Sequence, residues 1–333
     1  MKILYAIQGT GNGHVSRARE IIPHLAGHGE LDVLISGTRS EVNVNYPVKY
    51  HLHGWSFTFG KKGGIDMWDS WKNMRTFRLL KDVWNFPVNN YDLIINDFEP
   101  VTAWACKLRG KKCVAMSHQA AYLSPKTPRP DKKNLFVEWV FRNYSPAQEK
   151  IGFHFERYDD FIRTPVIRSE VRRLEPKNLG HVTVYLPAHD DKLLVPYFTK
   201  IKGVKFEVFS KHTKEAYRVD NTFVYPITSD AYTKSLEGCT GLITAGGFEA
   251  PTEAIFLNKK VMVVPMIGQY EQQCNAVGAK RAGCTVIPEI NENLLNHLNS
   301  WIEYAPSIYI NYPDETAEII GNLVARHKRV REV

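Results

Sequence analysis

The sequence predicts an α/β protein of two doubly wound halves, each a parallel sheet covered by helices, facing each other across a cleft. Three observations carry that expectation. Short apolar runs alternate with amphipathic segments almost throughout, as β-α-β units require. The alternation pauses once, between Pro165 and Gly180, where the chain turns charged and irregular, and then restarts. In each half an apolar run empties into a glycine-rich turn and a helix, at Gly9 to His14 and again at Ala245 to Glu249.

The opening run Ile3-Leu4-Tyr5-Ala6-Ile7 leads into Gly9-Thr10-Gly11-Asn12-Gly13-His14. A strand feeding closely spaced glycines and a helix leaves bare N–H groups pointing outward, which receive phosphate without a basic side chain. His14 stands where loop becomes helix, beside whatever the loop holds. A dinucleotide turn needs a third glycine where His14 stands, and a carboxylate closing the second strand. Here that strand, Asp32 to Ser36, ends in Gly37-Thr38. A P-loop needs Gly-Lys-Ser/Thr, which is missing. The bland alternative is a tight strand–helix turn without a ligand.

Further strands are expected over 31–36, 48–52, 92–96, 113–117 and 161–163, after the first at 2–8. Helices are expected over 14–27, 68–84, 100–109 and 134–147. The second half repeats the theme, with strands over 181–186, 205–209, 222–225, 241–244, 260–264 and 285–287. Its helices fall near 191–201, 230–236, 248–257, 271–282 and 292–303. Two such halves, 1–165 and 181–312 joined by a linker over 166–180, put a cleft between facing strand ends.

A length of 333 residues suits two domains, and 44% apolar with 23% charged residues is ordinary for a globular protein. The five cysteines are scattered and never form C-x-x-C, which argues against a disulfide framework or a zinc site and suits a reducing cytosol. No apolar run reaches the roughly 20 residues of a membrane span, and the N-terminus does not read as a signal peptide. A cytoplasmic protein is expected.

The net charge of +8 is uneven. Up to Thr164 there are 23 Lys and Arg against 16 Asp and Glu; beyond it, 20 against 19. The excess concentrates between Lys107 and Arg142, with Trp68, Trp71, Phe77, Trp84 and Phe86 nearby. Cations beside amphipathic rings suit an anionic membrane face or an anionic lipid-linked substrate; a solvated basic face over core tryptophans is the plain alternative. No nucleic-acid module is evident, so nucleic acid is not an expected partner.

In the second half, the strand Leu242-Ile243-Thr244 runs through Ala245-Gly246-Gly247 into a helix from Phe248 to Leu257. Its N-terminus again presents free N–H groups, now on the facing domain. Glu249 and Glu253 share one helix face, and a buried carboxylate one turn in can grip a vicinal diol. The next strand ends in Val263-Val264-Pro265, followed by Gly268-Gln269-Tyr270-Glu271-Gln272-Gln273. Dense amides and a carboxylate there can satisfy several sugar hydroxyls.

On these residues the chain resembles the two-domain GT-B glycosyltransferases, two Rossmann-like domains facing across a cleft. It is most similar to the family 28 type, which includes the lipid II-forming N-acetylglucosaminyltransferase and the monogalactosyldiacylglycerol synthases. Gly9 to Ala18 carries the likeness at one end and Val224 to Ala276 at the other. The resemblance implies that His14 serves as base or orients the acceptor, and that Gly9, Thr10, Gly11, Asn12 and Gly13 line a phosphate or acceptor loop. It implies that Ile227 reads uracil through its backbone, that Gly247, Phe248 and Glu249 form the helix start cupping the α-phosphate, that Gly246 and Thr252 belong to the same donor site, and that Glu253 holds the ribose. Glu271 with Gln272 or Gln273 would face the donor sugar, and Gln269 belongs to the same donor site. No metal or other cofactor is expected, because helix dipole and N–H groups stabilise the departing diphosphate. The chain's end, 313–333, is expected to form a helix crossing back to the first domain. One departure stands at Leu186-Pro187-Ala188-His189-Asp190-Asp191, where the lipid II enzyme carries a glycine loop.

Asp97 and Glu99 close a buried strand at the cleft edge, where a carboxylate acts as base toward an acceptor hydroxyl or caps a helix. His118 closes the next strand, with a structural role as the plainer reading. Gly60 to Gly64 reads as a loop. The expected function is transfer of a sugar from a nucleotide-sugar donor, UDP-linked, to an acceptor hydroxyl, with inversion implied by the resemblance. A lipid-linked or otherwise anionic acceptor, or a cell-surface glycan, fits the basic first half, with the protein at the inner membrane face. A nucleotide-sugar hydrolase or epimerase on the same fold, and a non-enzymatic nucleotide-sugar binder, are the alternatives.

Overall fold

A computed structural model describes residues 1–10, 12–37, 44–54 and 76–329. The expected loop at Gly60–Gly64, Trp68, Trp71, Gly11 and Thr38 lie outside the described residues.

The first sheet comprises β1 (Lys2–Gln8), β2 (Glu30–Ser36), β3 (Val48–Leu52), β4 (Leu93–Asp97), β5 (Val114–Ser117), β6 (Glu149–Phe153) and β7 (Ile162–Arg163). All pair in parallel, in the order β3-β2-β1-β4-β5-β6-β7. Its helices are α1 (Asn12–Ala26), α2 (Thr76–Asn85), α3 (Pro100–Leu108) and α4 (Leu135–Asn143). Side-chain alternation along β1 assigns them to faces. Ile3, Tyr5 and Ile7 pack with Val15, Ile21 and Leu25 of α1. Leu4 and Ala6 pack with Val83 of α2 and Val101 and Ala105 of α3. Right-handed crossovers dictate this split, since the chain leaves β1 in one direction and returns on the other side.

After the short helix α5 (Ser169–Arg172), the second sheet comprises β8 (His181–Tyr185), β9 (Lys205–Ser210), β10 (Tyr217–Val219), β11 (Thr222–Pro226), β12 (Gly241–Ala245), β13 (Lys260–Val264) and β14 (Thr285–Val286). Their order is β10-β11-β9-β8-β12-β13-β14, parallel except for β10 against β11. Helices α6 (Asp191–Phe198), α7 (Ser229–Gly238), α8 (Glu249–Phe256), α9 (Tyr270–Arg281) and α10 (Leu294–Tyr304) cover it. The last helix, α11 (Thr316–Arg329), lies against α1: Ile320, Leu323 and Val324 join the cluster of Ile21 and Leu25, and His327 Nε2 meets Glu149 Oε2 at 3.1 Å. Both halves are thus parallel-sheet α/β domains with the same doubly wound core.

Two elements differ from the sequence expectation. The helix expected to 147 stops at Asn143, and β6 follows. Glu149-Lys150-Ile151-Gly152-Phe153 holds two charges and a glycine, so it shows no apolar run. The glycine is required by packing, because a Cβ there would come within 2.7 Å of Ala121 Cα. The other is β10, a three-residue edge strand turned back by Asp220 at φ +52. Too short to show a period, it pairs only because β11 offers an edge.

Candidate active site at the cleft

Strand β1 sits between β2 and β4, so the loops leaving β1 and β4 diverge and open a crevice at their C-terminal ends. Ile7 pairs with Asp97 in register, which brings the Gly9–His14 turn beside the end of β4. At Gly9 a Cβ would lie 2.8 Å from Ile35 Cγ2, so the turn needs glycine there. Thr10 Oγ1 accepts from Gln8 Nε2 at 3.0 Å, and Asn12 opens α1.

Next to the crevice, Phe98 adopts φ +56, a left-handed conformation that costs a non-glycine residue energy and concentrates at functional sites. The turn sends the two flanking carboxylates apart. Glu99 caps α3, accepting from Val101 N and Thr102 N at 2.7 Å each and from Thr102 Oγ1 at 2.6 Å. Burial pushes its carboxyl up. Asp97 turns instead to α1. Its Oδ1 lies 2.7 Å from His14 Nδ1 and accepts from Arg17 Nη2 at 2.8 Å, while Oδ2 accepts from Arg17 Nε at 3.0 Å. Burial alone would raise the Asp97 carboxyl, but Arg17 and His14 outweigh it and hold it below its ordinary value.

This corrects one expectation. Asp97 is fully buried with both oxygens engaged, so it cannot itself meet an acceptor hydroxyl. It orients His14 instead: an Nδ1–H donated to Asp97 leaves Nε2 bare as an acceptor. The i, i+3 spacing places Arg17 on the same face of α1 as His14.

The second domain closes over this group through α8. Glu249 Oε1 accepts from Arg17 Nη1 at 2.8 Å. A Cβ at Gly13 would lie 2.6 Å from Glu249 Oε2, so the carboxylate rests on the first turn of α1. Gly13, expected to face a phosphate or acceptor, therefore faces a side chain of the opposite domain. Burial works against the Arg17 charge, but Asp97 and Glu249 outweigh it and keep the guanidinium more firmly protonated than usual.

Other expected residues fall around α8 and α9. Ile227 lies half-buried just past β11. Gly246 is pinned, because a Cβ would sit 2.8 Å from Gln272 Cβ, whereas Gly247 opens onto free space. Phe248 is buried and stacks on His118, 4.0 Å between centroids, and the His118 nitrogens face Phe153 O and Asn275 Oδ1. His118 is thus a buried bridge between domains. Glu271 accepts from Gln119 Nε2 at 2.9 Å. Gln269 opens α9 and Gln273 is half-buried on it.

Three further residues expected at the donor bond to the protein itself. Glu253, expected to hold a ribose, is buried and accepts from Arg168 at Oε1 (2.5 Å) and Oε2 (2.8 Å). Burial still pushes its carboxyl up, more than Arg168 pulls it down. Thr252 Oγ1 turns onto its own helix, against Glu249 O at 2.8 Å. Gln272 Oε1 accepts from Gly246 N (3.1 Å) and Met266 N (2.9 Å), stapling two loops rather than facing the cleft. Thr252 and Glu253 take protein partners because burial leaves them no water to bond with.

The sequence reading passed over Arg17, Gln119, Arg168 and Asn275. Arg17 carried a signal, three residues after His14; Arg168 sits in the irregular linker, and only the fold brings it to Glu253. Among the described residues no group of three His, Cys, Asp or Glu side chains converges as metal ligands would.

The chain matches the profile of glycosyl transferase family 1 over residues 1–306. No curated protein matches it in sequence. Among solved structures, the kitacinnamycin glycosyltransferase is similar at a TM-score of 0.60 and 13% identity, covering 98% of this chain and 95% of that one. MurG of Acinetobacter baumannii aligns at 0.54 and 17%, covering 98% and 99%. SsfS6 of Streptomyces sp. SF2575, complexed with thymidine diphosphate, aligns at 0.59 and 10% over all of both chains. At such identities the likeness speaks for the fold alone, whereas the profile match spans nearly the whole sequence. The chain belongs to glycosyl transferase family 1, and it is a glycosyltransferase of GT-B architecture.

Proposed function

We propose that this glycosyltransferase moves a hexose from a UDP-sugar to the hydroxyl of a lipid-linked acceptor at an anionic membrane face, with inversion and without a metal ion. The observation that carries the reading is the pair of His14 and Asp97 at the foot of the cleft, faced by the N-terminus of α8. The acceptor oxygen attacks the anomeric carbon and its proton passes to His14 Nε2. The bond from that carbon to the diphosphate breaks, and the diphosphate leaves with the electron pair. The free N–H groups of α8 and the Arg17 guanidinium offset the charge that develops there. Glu253 would meet the ribose only by exchanging Arg168 for the hydroxyls.

The family 28 resemblance at Gly9–Ala18 and Val224–Ala276 supports a UDP donor and a lipid acceptor. The surface of the first domain supports the membrane. Phe77, Leu80 and Trp84 on α2 are 88%, 63% and 71% exposed, and Leu135 and Trp139 on α4 are 78% and 56% exposed. Helices α2 and α3 cover one face of the sheet, while α4 packs on α9 of the second domain through Phe141 and Tyr270. Arg78, Lys81, Lys107, Lys132, Lys133 and Arg142 are exposed among them. Apolar rings ringed by cations lie in the interface of an anionic bilayer. No helix among the described residues is long and apolar enough to cross one.

The test is calorimetric titration with UDP, GDP, dTDP and CMP, then turnover of UDP-sugars with polyprenyl-phosphate-linked acceptors in anionic vesicles. Selective UDP binding and acceptor-stimulated UDP release support the reading. UDP release indifferent to acceptor points to hydrolysis, a mass-neutral change of the sugar to epimerisation, and no nucleotide binding overturns it.

A further inference from the structure

Gln119 opens the 3-10 turn Gln119–Leu123 immediately after β5, in the first domain, and its side chain reaches across the cleft. Only 7% of the residue is exposed. The amide is held at one end. Nε2 donates to Glu271 Oε1 at 2.9 Å and lies 3.5 Å from His14 Nε2. The orientation is set by chemistry, since the opposite placement would bring an amide oxygen against the Glu271 carboxylate. The other end, Oε1, is buried and finds no donor among the described residues.

A buried carbonyl oxygen without a donor carries a penalty that a bound hydroxyl relieves. The groups fixed at the other end of the same amide restrict what can supply the donor. Glu271 and the bare His14 Nε2 are acceptors, so the complement is a group rich in O–H, and a carboxylate or phosphate is repelled. Gln119 Nε2 stands between the base and the α9 carboxylate, and Oε1 is the buried acceptor on the same amide, where the transferred sugar rather than the nucleotide would lie.

We propose that Gln119 is a specificity-determining residue for the donor, its Oε1 accepting a hydrogen bond from one hydroxyl of the transferred sugar while its Nε2 fixes Glu271 beside that hydroxyl. This rests on the UDP-sugar reading above. Selection of the sugar then requires both domains: the second binds the nucleotide and Glu271 reaches the sugar, but the first supplies the acceptor that checks it.

The experiment takes the UDP-hexose with the highest kcat/KM and its 2-, 3-, 4- and 6-deoxy analogues, with wild type and Gln119→Met. In wild type one deoxy analogue is expected to lose roughly tenfold to a hundredfold in kcat/KM, the scale of one lost hydrogen bond to a buried group. In Gln119→Met the parent sugar falls by a similar factor, that penalty shrinks to under about threefold, and UDP affinity is unchanged. Gln119→Asn, which withdraws the same amide by one methylene, is expected to behave alike and serves if the Met variant melts early. Deoxy penalties that persist at wild-type size in both variants overturn the proposal while leaving the UDP-sugar reading intact. A wild-type protein that binds UDP and turns over no UDP-sugar overturns both.

Discussion

Arg17 on α1 and Glu249 on α8 belong to different domains, yet their side chains meet at 2.8 Å, with the Glu249 carboxylate lying on the first turn of α1 beside Gly13. The Arg17 side chain is 3% exposed and that of Glu249 30%. A carboxylate at a helix N-terminus against a buried guanidinium occupies the kind of place a substrate phosphate takes. On the proposed donor reading, a diphosphate at the N-terminus of α8 displaces it. Replacing Glu249 by Gln should tighten UDP binding roughly tenfold, equivalent to about 1.4 kcal/mol, measured by calorimetric titration. Weaker binding in the variant would instead make Glu249 a direct contact of the nucleotide.

His14 and Asp97 should separate binding from chemistry. His14→Ala is expected to lower kcat by roughly 10²- to 10⁴-fold, the span of a general base, with UDP affinity unchanged. Asp97→Asn should also lower kcat, because the neutral amide no longer selects the tautomer with a bare Nε2. Equal losses of kcat and nucleotide affinity in His14→Ala would assign it to binding instead.

The depressed Asp97 carboxyl makes a pH prediction of definite sign. Its folded value lies below its unfolded value of about 3.9, so its ionised form contributes stability above that pH, and the contribution is lost as pH falls through the folded value. The difference in unfolding free energy between wild type and Asp97→Asn should be flat above about pH 5 and shrink below about pH 4. Urea titrations at a series of pH values measure it. A difference that grows on acidification contradicts the assignment.

The exposed rings of α2 should report on the membrane. Phe77→Glu with Trp84→Glu is expected to abolish flotation with anionic vesicles and leave turnover of a water-soluble acceptor analogue within about twofold, since both side chains stand exposed on α2. Undiminished flotation would remove the membrane from the reading.

Lys259 offers a test of the fold. Its buried ammonium donates to Lys177 O (2.7 Å), Glu237 O (2.8 Å) and Cys239 O (2.8 Å), tying the linker to the second domain. Lys259→Met strands the carbonyls of Lys177 and Cys239, while Glu237 O keeps its bond from Lys177 N, and should cost about 2–4 kcal/mol, read as a lowered urea midpoint. A midpoint within error of wild type would show that the linker closes by other contacts.

The alternation of apolar runs with amphipathic segments, broken once near Pro165–Gly180, sufficed for two doubly wound halves, because periodicity and turn chemistry are local. The glycine turns at Gly9 and Gly246 were legible for the same reason: close backbone approach leaves only one residue type. The segment Glu149–Phe153 was not, since its pairing depends on an edge offered by β5 rather than on its own pattern. At the site, His14 announced itself through its loop, but the partner that orients it lies 83 residues away on another strand. Only tertiary structure could decide that Asp97 faces inward while Glu99 caps a helix, for the choice turns on one left-handed residue, Phe98. It alone could seat Arg168 on Glu253, Glu249 on Arg17 and Gln119 on Glu271. Those contacts join segments far apart in the chain, and a buried charge or amide takes whichever partner the fold brings within reach.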